Sequence, residues 1–299
     1  MRLIASTDDT TGKWYLYDGN NRRWVFCQEA LKGTGLIAKQ LELVSLEEVN
    51  SYPLGPILVK KIKRLITCTN STETRAYLTK DFVGRGVEFG ASTNPSPVPL
   101  GCRVEYADLF TPEEGCNIGY SQNMSEFVSI THKTGCQDMV GIDENSLEFI
   151  ISSHVLEHVT ETIRSIKVAW EKLRIGGVFL LAIPHKDYCF DKPRELTTLA
   201  HFIDDYEAYS KSRDLIHIID VFANTPLDEQ QSTGRFIYDR CVEYLNGQLL
   251  DIHYHTFNEE NTRELLLYFN EYLHRWAKVE IIDRATQYPS NEFFVRLTK

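Results

Sequence analysis

Between residues 147 and 184 the hydrophobic rhythm of the chain changes twice. Residues 147–153 (LEFIISS) are apolar in succession, the pattern of a strand buried on both faces. From His158 the apolar positions Val159, Ile163, Ile166, Trp170 and Leu173 recur at steps of three and four, which predicts an amphipathic helix to about Arg174. Gly176-Gly177 is expected to stop that helix, and residues 178–184 (VFLLAIP) form a further buried strand. Upstream, GVEFG (86–90) predicts a short strand ending in glycine, and RVEYADLF (103–110) a second with Asp108 near its end. Strands alternating with helices predict a mostly parallel, doubly wound sheet.

Both ends of the chain break this alternation. Aromatic-rich runs at 14–18 and 22–27 flank Gly19-Asn20-Asn21, as two strands around a turn. With the apolar positions at 40–44 and 57–66, and Pro53, Gly55 and Pro56 between them, residues 1–60 read as a small β-rich unit. A helix is expected within 60–80, leading into a domain over 61–299. At the far end, Asn258 or Thr262 can cap a helix to about Trp276, with Leu265, Leu266, Phe269 and Leu273 on one side. Residues 278–284 and 291–297 then read as strands around Pro289-Ser290. That link is too short for a parallel crossover, so the pair must be antiparallel.

Composition narrows the function classes. The 299 residues carry a formal net charge of −10, which argues against nucleic acid as a partner. No stretch approaches the ~20 apolar residues of a membrane span, and the N-terminus lacks a secretory pattern. Seven cysteines without a C-x-x-C pair fit free thiols in a reducing cytoplasm.

In an open α/β sheet, ligands sit at the carboxyl ends of the strands. The first core strand ends Glu88-Phe89-Gly90-Ala91-Ser92-Thr93-Asn94. Gly90 permits a sharp turn and close backbone approach to a ligand. Asp108 follows about twenty residues later, where an acid can accept ribose hydroxyls. In order and spacing, VEFGASTNP, VEYADLF, SLEFIISSHVLEHV and LRIGGVFLLAIP, with the closing helix and hairpin, resemble class I S-adenosylmethionine-dependent methyltransferases (the type 11-like domain). The likeness covers about 82–186 and 258–299.

The resemblance implies a Rossmann-like, seven-stranded sheet with an antiparallel last strand, with S-adenosylmethionine as cofactor and S-adenosylhomocysteine as product. It implies that Glu88, Phe89, Gly90, Ala91, Ser92 and Asn94 line the methionine end. Asp108 binds the ribose and Leu109 lies against adenine. Asp138 accepts from the adenine amino group, Met139 adds an apolar contact, and Ser153 and His154 lie beside the methyl group. The family has Gly-x-Gly in the first loop; here the second glycine is Ser92, whose Cβ and hydroxyl can crowd the cofactor carboxylate or donate to it.

Residues 184–206 and 251–257 resemble a subgroup in which a Phe-Asp…Arg…Thr-Thr…His…Asp-Tyr pattern follows the fifth strand. An acceptor-side insertion is therefore expected at about 186–257, with Tyr188, Asp191, Arg194 and His255 toward the acceptor. Arg194 can clamp an anion bidentately or pair with Asp191. His201 and Asp205 stand at i and i+4 and can meet, as a base with its orienting carboxylate or as a surface pair. His154, His185 and His201 are the candidate bases. His154-Val155-Leu156-Glu157-His158 matches an inverted zinc-protease signature, but it directly follows a buried strand, and no metal is expected.

The function implied is methyl transfer to a small-molecule acceptor, a sugar derivative or other metabolite. The alternative is a binding module that keeps the fold but not catalysis and recognises a protein partner. A nicotinamide dehydrogenase is opposed by the absence of G-x-G-x-x-G.

Overall fold

Burial of three successive apolar residues near the N-terminus makes a strand that the sequence pattern did not single out: β1 (Arg2–Ser6) buries Leu3, Ile4 and Ala5. The computed structural model describes residues 1–7, 12–32, 34–58, 68, 70–117, 121, 123–225, 233–282 and 290–299. After β1 come β2 (Trp14–Tyr17), β3 (Arg22–Trp24) and β4 (Leu41–Val44), in a four-stranded sheet of order β3-β2-β1-β4. β2 and β3 are antiparallel about a turn that needs Gly19 at φ +108°. β4 pairs in parallel with β1. Leu3, Leu16, Val25, Leu31 and Leu58 form the core of this sheet. Helix α1 (Leu46–Ser51) begins where the Ser45 side chain accepts the Glu48 N–H. The helix expected within 60–80 is α2 (Ser71–Leu78), capped by Asn70. Residues 59–67 lie outside the described residues, as do 283–289.

The core strands follow: β5 (Arg85–Phe89), β6 (Arg103–Asp108), β7 (His132–Lys133), β8 (Leu147–Ser153), β9 (Leu173–Pro184), β10 (Lys278–Ile282) and β11 (Glu292–Thr298). Between them lie α3 (Pro112–Asn117), α4 (Thr162–Lys172), α5 (Leu199–Glu207), α6 (Asp214–Asn224), α7 (Gly234–Leu245) and α8 (Glu259–Tyr272). The seven strands stand in the order β10-β11-β9-β8-β5-β6-β7. β5–β6 and β6–β7 pair in parallel, whereas β11 runs antiparallel to both β9 and β10. This is the seven-stranded arrangement, with its antiparallel last strand, that the resemblance implies.

By contacts the chain separates into two compact units. Among the described residues the first holds 1–135 and 147–151, and the second 136–146, 152–282 and 290–299. In the first, Phe149 of β8 stacks on Phe82 at 4.8 Å. A Cβ at Gly86 would lie 2.2 Å from that Phe149 ring, so β5 needs glycine there for lack of space. Glu105 on β6 ties three strands together, meeting Arg85 of β5 at 2.9 Å and His132 of β7 at 2.9 Å. The Arg85 bond is the main reason its carboxyl is held down to about 2.

In the second unit the helix stop differs from expectation. α4 ends at Lys172, and Leu173 is already extended and fully buried. Gly176-Gly177 lie inside β9, where their backbones bond to Lys299 at 2.8 and 2.9 Å. Packing of Leu173 against the core, not a glycine cap, terminates the helix. Asn258 caps α8 in a reciprocal capping box with Asn261, while Thr262 is buried within the helix. α8 ends before Trp276, which is nevertheless buried. The segment after β9 is helical: Ile218, Val221, Cys241 and Tyr244 of α6 and α7 pack with Ile252 and Tyr254. Residues 251–257 form no strand, and among the described residues a bridge joins His185 to Phe257 and the Tyr254 N–H bonds to the Glu157 carbonyl at 2.7 Å.

Candidate functional site

In the first unit the chain turns sharply at the end of β5. Gly90 has φ +69° and Ser92 φ +46°. Ser92 therefore keeps the left-handed backbone that a glycine would adopt freely, and a non-glycine residue held there costs about 1–3 kcal/mol. The Asn94 N–H bonds to the Ala91 carbonyl at 2.8 Å and closes the turn. Ala91 and Phe89 are buried, Asn94 exposed. Glu88 is buried beneath the turn and accepts the Ser96 N–H at 2.9 and 3.1 Å. Burial pushes its carboxyl up to about 7, against the pull of Ser96 and Arg75.

The Gly90 N–H reaches the carbonyl of Ala107 at 3.4 Å, which brings the turn beside the end of β6. There Asp108 is half-buried and its Oδ1 accepts the Phe110 N–H at 3.0 Å. Leu109 is 46% exposed and lies along Gly135. A left-handed turn, an anchored carboxylate at the next strand end and an exposed leucine beside it fit an adenosine with its ribose on Asp108. A cavity of ≈ 330 Å³ in this unit is lined by Tyr15, Arg22, Trp24, Asn50 and Glu126 and, from the end of the turn, by Thr93 and Pro95. It includes neither Gly90 nor Asp108.

In the second unit Met139 (φ +46°) and His154 (φ +52°) are also left-handed. Met139 is fully buried; Asp138 is exposed and ion-paired to Arg164 at 2.8 Å, so that carboxylate already has a cation. Ser153 is buried at the end of β8. His154 follows it, with its N–H on the Ala182 carbonyl of β9. Its Nε2 lies 2.9 Å from Glu292 and its Nδ1 3.5 Å from Glu157. Burial alone would lower the His154 pKa, but the two carboxylates outweigh it and raise it to about 9. The ring is thus charged at neutral pH, the wrong state for a base.

Glu157 is fully buried, with His158 and His253 Nε2 each 3.9 Å from its Oε1. Burial pushes its carboxyl up, but the ring of histidines dominates and lowers it. His253 is held from its other side by Asp191, Nδ1 to Oδ2, at 2.5 Å.

The expected acceptor-side residues are mostly committed inside the fold. Arg194 is buried, bonding Asp191 at 2.7 Å, Asp220 at 2.8 Å, and the carbonyls of His253 and Tyr254. Of its two readings, the geometry makes it a tie rather than an anion clamp, since its donors are engaged. Asp191 is occupied with Arg194 and His253, and His255 is completely buried with Nε2 3.1 Å from the Thr160 carbonyl. Tyr188 alone of the four is exposed. His185 Nδ1 accepts the Asp187 N–H at 3.1 Å, which leaves its proton on Nε2, 3.1 Å from Glu259. It faces a carboxylate as a donor and is not poised as a base. His201 meets Asp205 at 3.1 Å, and also His217 at 2.8 Å.

Sequence reasoning missed Glu292 and His217. Each carried a signal: a carboxylate opening the apolar run EFFV, and a histidine inside the apolar run LIHII. A charged or polar group on a buried face asks for a partner.

No family model and no curated protein matches this chain. Several solved structures do. A methyltransferase from Thermotoga maritima, described as a possible histamine N-methyltransferase, is 14% identical over 72% of this chain and 82% of its own, with a TM-score of 0.38. The plantazolicin methyltransferase BpumL, in complex with S-adenosylhomocysteine, is 10% identical over 76% and 80%, TM-score 0.40. A Rhodobacter sphaeroides protein assigned to the zinc-dependent alcohol dehydrogenases is 12% identical over 79% and 93%, TM-score 0.43. Strand order and the placement of side chains in this chain, rather than these distant likenesses, carry the functional argument.

Proposed function

We propose that this chain is an S-adenosylmethionine-dependent methyltransferase acting on a small-molecule acceptor. The observation that carries the reading is the left-handed turn at Gly90 and Ser92, bonded to the residue before Asp108. It supports a cofactor site in which Asp108 takes the ribose hydroxyls, Leu109 covers the adenine and the 88–94 turn holds the methionine end. When bound, S-adenosylmethionine supplies an electrophilic methyl carbon. Little acid–base help is then needed, and the protein's main task is to hold the acceptor atom in line.

Glu157 and Glu292 face both ring nitrogens of His154 and keep it charged near neutrality, so the reading assigns it no part as a general base. The net negative charge suits a small or cationic acceptor. Incubation with methyl-labelled cofactor and fractionated small metabolites tests this reading. Label passing to a low-mass product, and not to protein or RNA, is expected. Label found only in a macromolecule would overturn the small-molecule assignment.

A further inference from the structure

The side chains richest in unassigned chemistry lie in the helical segment after β9. α5 presents His201 and Asp205 one turn apart, α6 presents His217, and the coil before α8 presents His255. Four side chains converge, with one ligand atom from each of His201, His217, His255 and Asp205 lying within 4.8 Å of the others. The edges are 2.8 Å between His201 and His217, 3.1 and 3.2 Å from these rings to Asp205, and 3.7 Å from His255 to Asp205. Tetrahedral zinc, with bonds of about 2.0–2.1 Å, sets its ligand atoms roughly 3.3 Å apart. These four edges, 2.8–3.7 Å, bracket that spacing, and the two from His255 to the other rings fall within 4.8 Å.

Three further features point the same way. Imidazole with one carboxylate is a donor set suited to zinc-class divalent ions. Arg213 holds the other oxygen of Asp205 at 3.2 Å, which fixes the carboxylate and aims Oδ2 at the rings, as an outer partner of a metal ligand does. At 2.8 Å, the two Nε2 atoms of His201 and His217 have room for one proton between them. Without a cation the remaining lone pairs and the Asp205 charge oppose one another in a site where Asp205, His217 and His255 are all buried. Nδ1 of His217 has no hydrogen-bond partner among the described residues, so nothing locks its proton on Nε2. His255 gives up its bond to the Thr160 carbonyl on ligation.

We propose that His201, Asp205, His217 and His255 bind a divalent zinc-class ion that pins α5, α6 and the 250–257 segment together. Four protein ligands make this a closed, structural site. It stands independently of the methyltransferase reading.

The test uses the full chain, stripped with chelator and titrated with Zn²⁺ alone, then with Co²⁺ for its absorption spectrum. About one ion per chain is expected, with a tetrahedral cobalt spectrum and a melting temperature that rises with the ion. Asp205→Asn and His217→Ala should abolish binding. His201 is the most solvent-reached ligand, its side chain 32% exposed, so His201→Ala is the variant that keeps its fold by circular dichroism. It should weaken binding at least about tenfold. Folded wild type that binds no ion would overturn the proposal, as would affinity unchanged by His201→Ala. Binding lost instead in Glu157→Gln would move the ion to the Glu157, His158 and His253 group and overturn this assignment.

Discussion

Glu88 is the residue whose setting speaks most directly to measurement. Its carboxyl is raised from 4.5 to about 7, chiefly by burial. A carboxyl that binds its proton more tightly when folded adds stability below pH 4.5, and loses it as pH rises through about 7. The full effect is on the order of 3 kcal/mol. Glu88→Gln keeps an oxygen for the Ser96 N–H and removes the titration. Urea unfolding of both proteins from pH 4.5 to 8 should show the variant gaining on the wild type across that window. A constant difference would mean that Glu88 is ionised throughout. His154 behaves in the opposite chemical sense: its imidazolium is held by Glu157 and Glu292 to about 9. In a proton NMR titration its ring resonance should move near pH 9, and Glu292→Gln should bring that midpoint down toward the ordinary histidine value of about 6.5. A wild-type midpoint already at that ordinary value would restore His154 as a base.

Among helices and strands, periodicity was a good guide where an element is defined by its own burial. β8 falls at residues 147–153 as its apolar run requires, and Asn258 opens α8 as its side chain and position require. It failed where a neighbour decides. The end of α4 belongs to Leu173, and the glycines after it serve the pairing of β9 with Lys299. β1 has only three apolar residues, Leu3, Ile4 and Ala5, too few to show a period, and it is made a strand by pairing with the adjacent β2 and, in parallel, with the distant β4. Gly86 is another neighbour effect, invisible until Phe149 is placed over it. Gly86→Ala puts a Cβ 2.2 Å from that ring, and overpacking of this kind costs about 1–3 kcal/mol. Thermal unfolding should show the loss, and Phe149→Leu in the same chain should recover part of it. Loss without recovery would place the strain in the strand backbone instead.

Across the fold, the mostly parallel sheet and its antiparallel closing pair were legible from alternation and from a link too short for a crossover, while the order of the seven strands emerges only in the fold. The turn after β5 and the place of Asp108 at the end of β6 were legible because local sequence sets them, Gly90 marking the first. The insertion was not. Asp191, Arg194 and His255 were expected on the acceptor side from the resemblance of their segments, and His201 as a base from its spacing to Asp205. Their partners, Asp220, His253, Thr160 and His217, arrive from 16 to 95 positions away, and only folding shows that these polar groups are met internally. Among the described residues no helix is long and apolar enough to cross a membrane.

Everything proposed for catalysis depends on the cofactor, and calorimetric titration of S-adenosylhomocysteine into wild type and Asp108→Ala is its sharpest test. Losing hydrogen bonds from a charged acceptor costs about 1.5–3 kcal/mol, or roughly ten- to hundred-fold in affinity. Micromolar binding by the wild type, weakened by that factor in the folded variant, is the expected result. A folded wild-type protein that takes up no S-adenosylhomocysteine would contradict it.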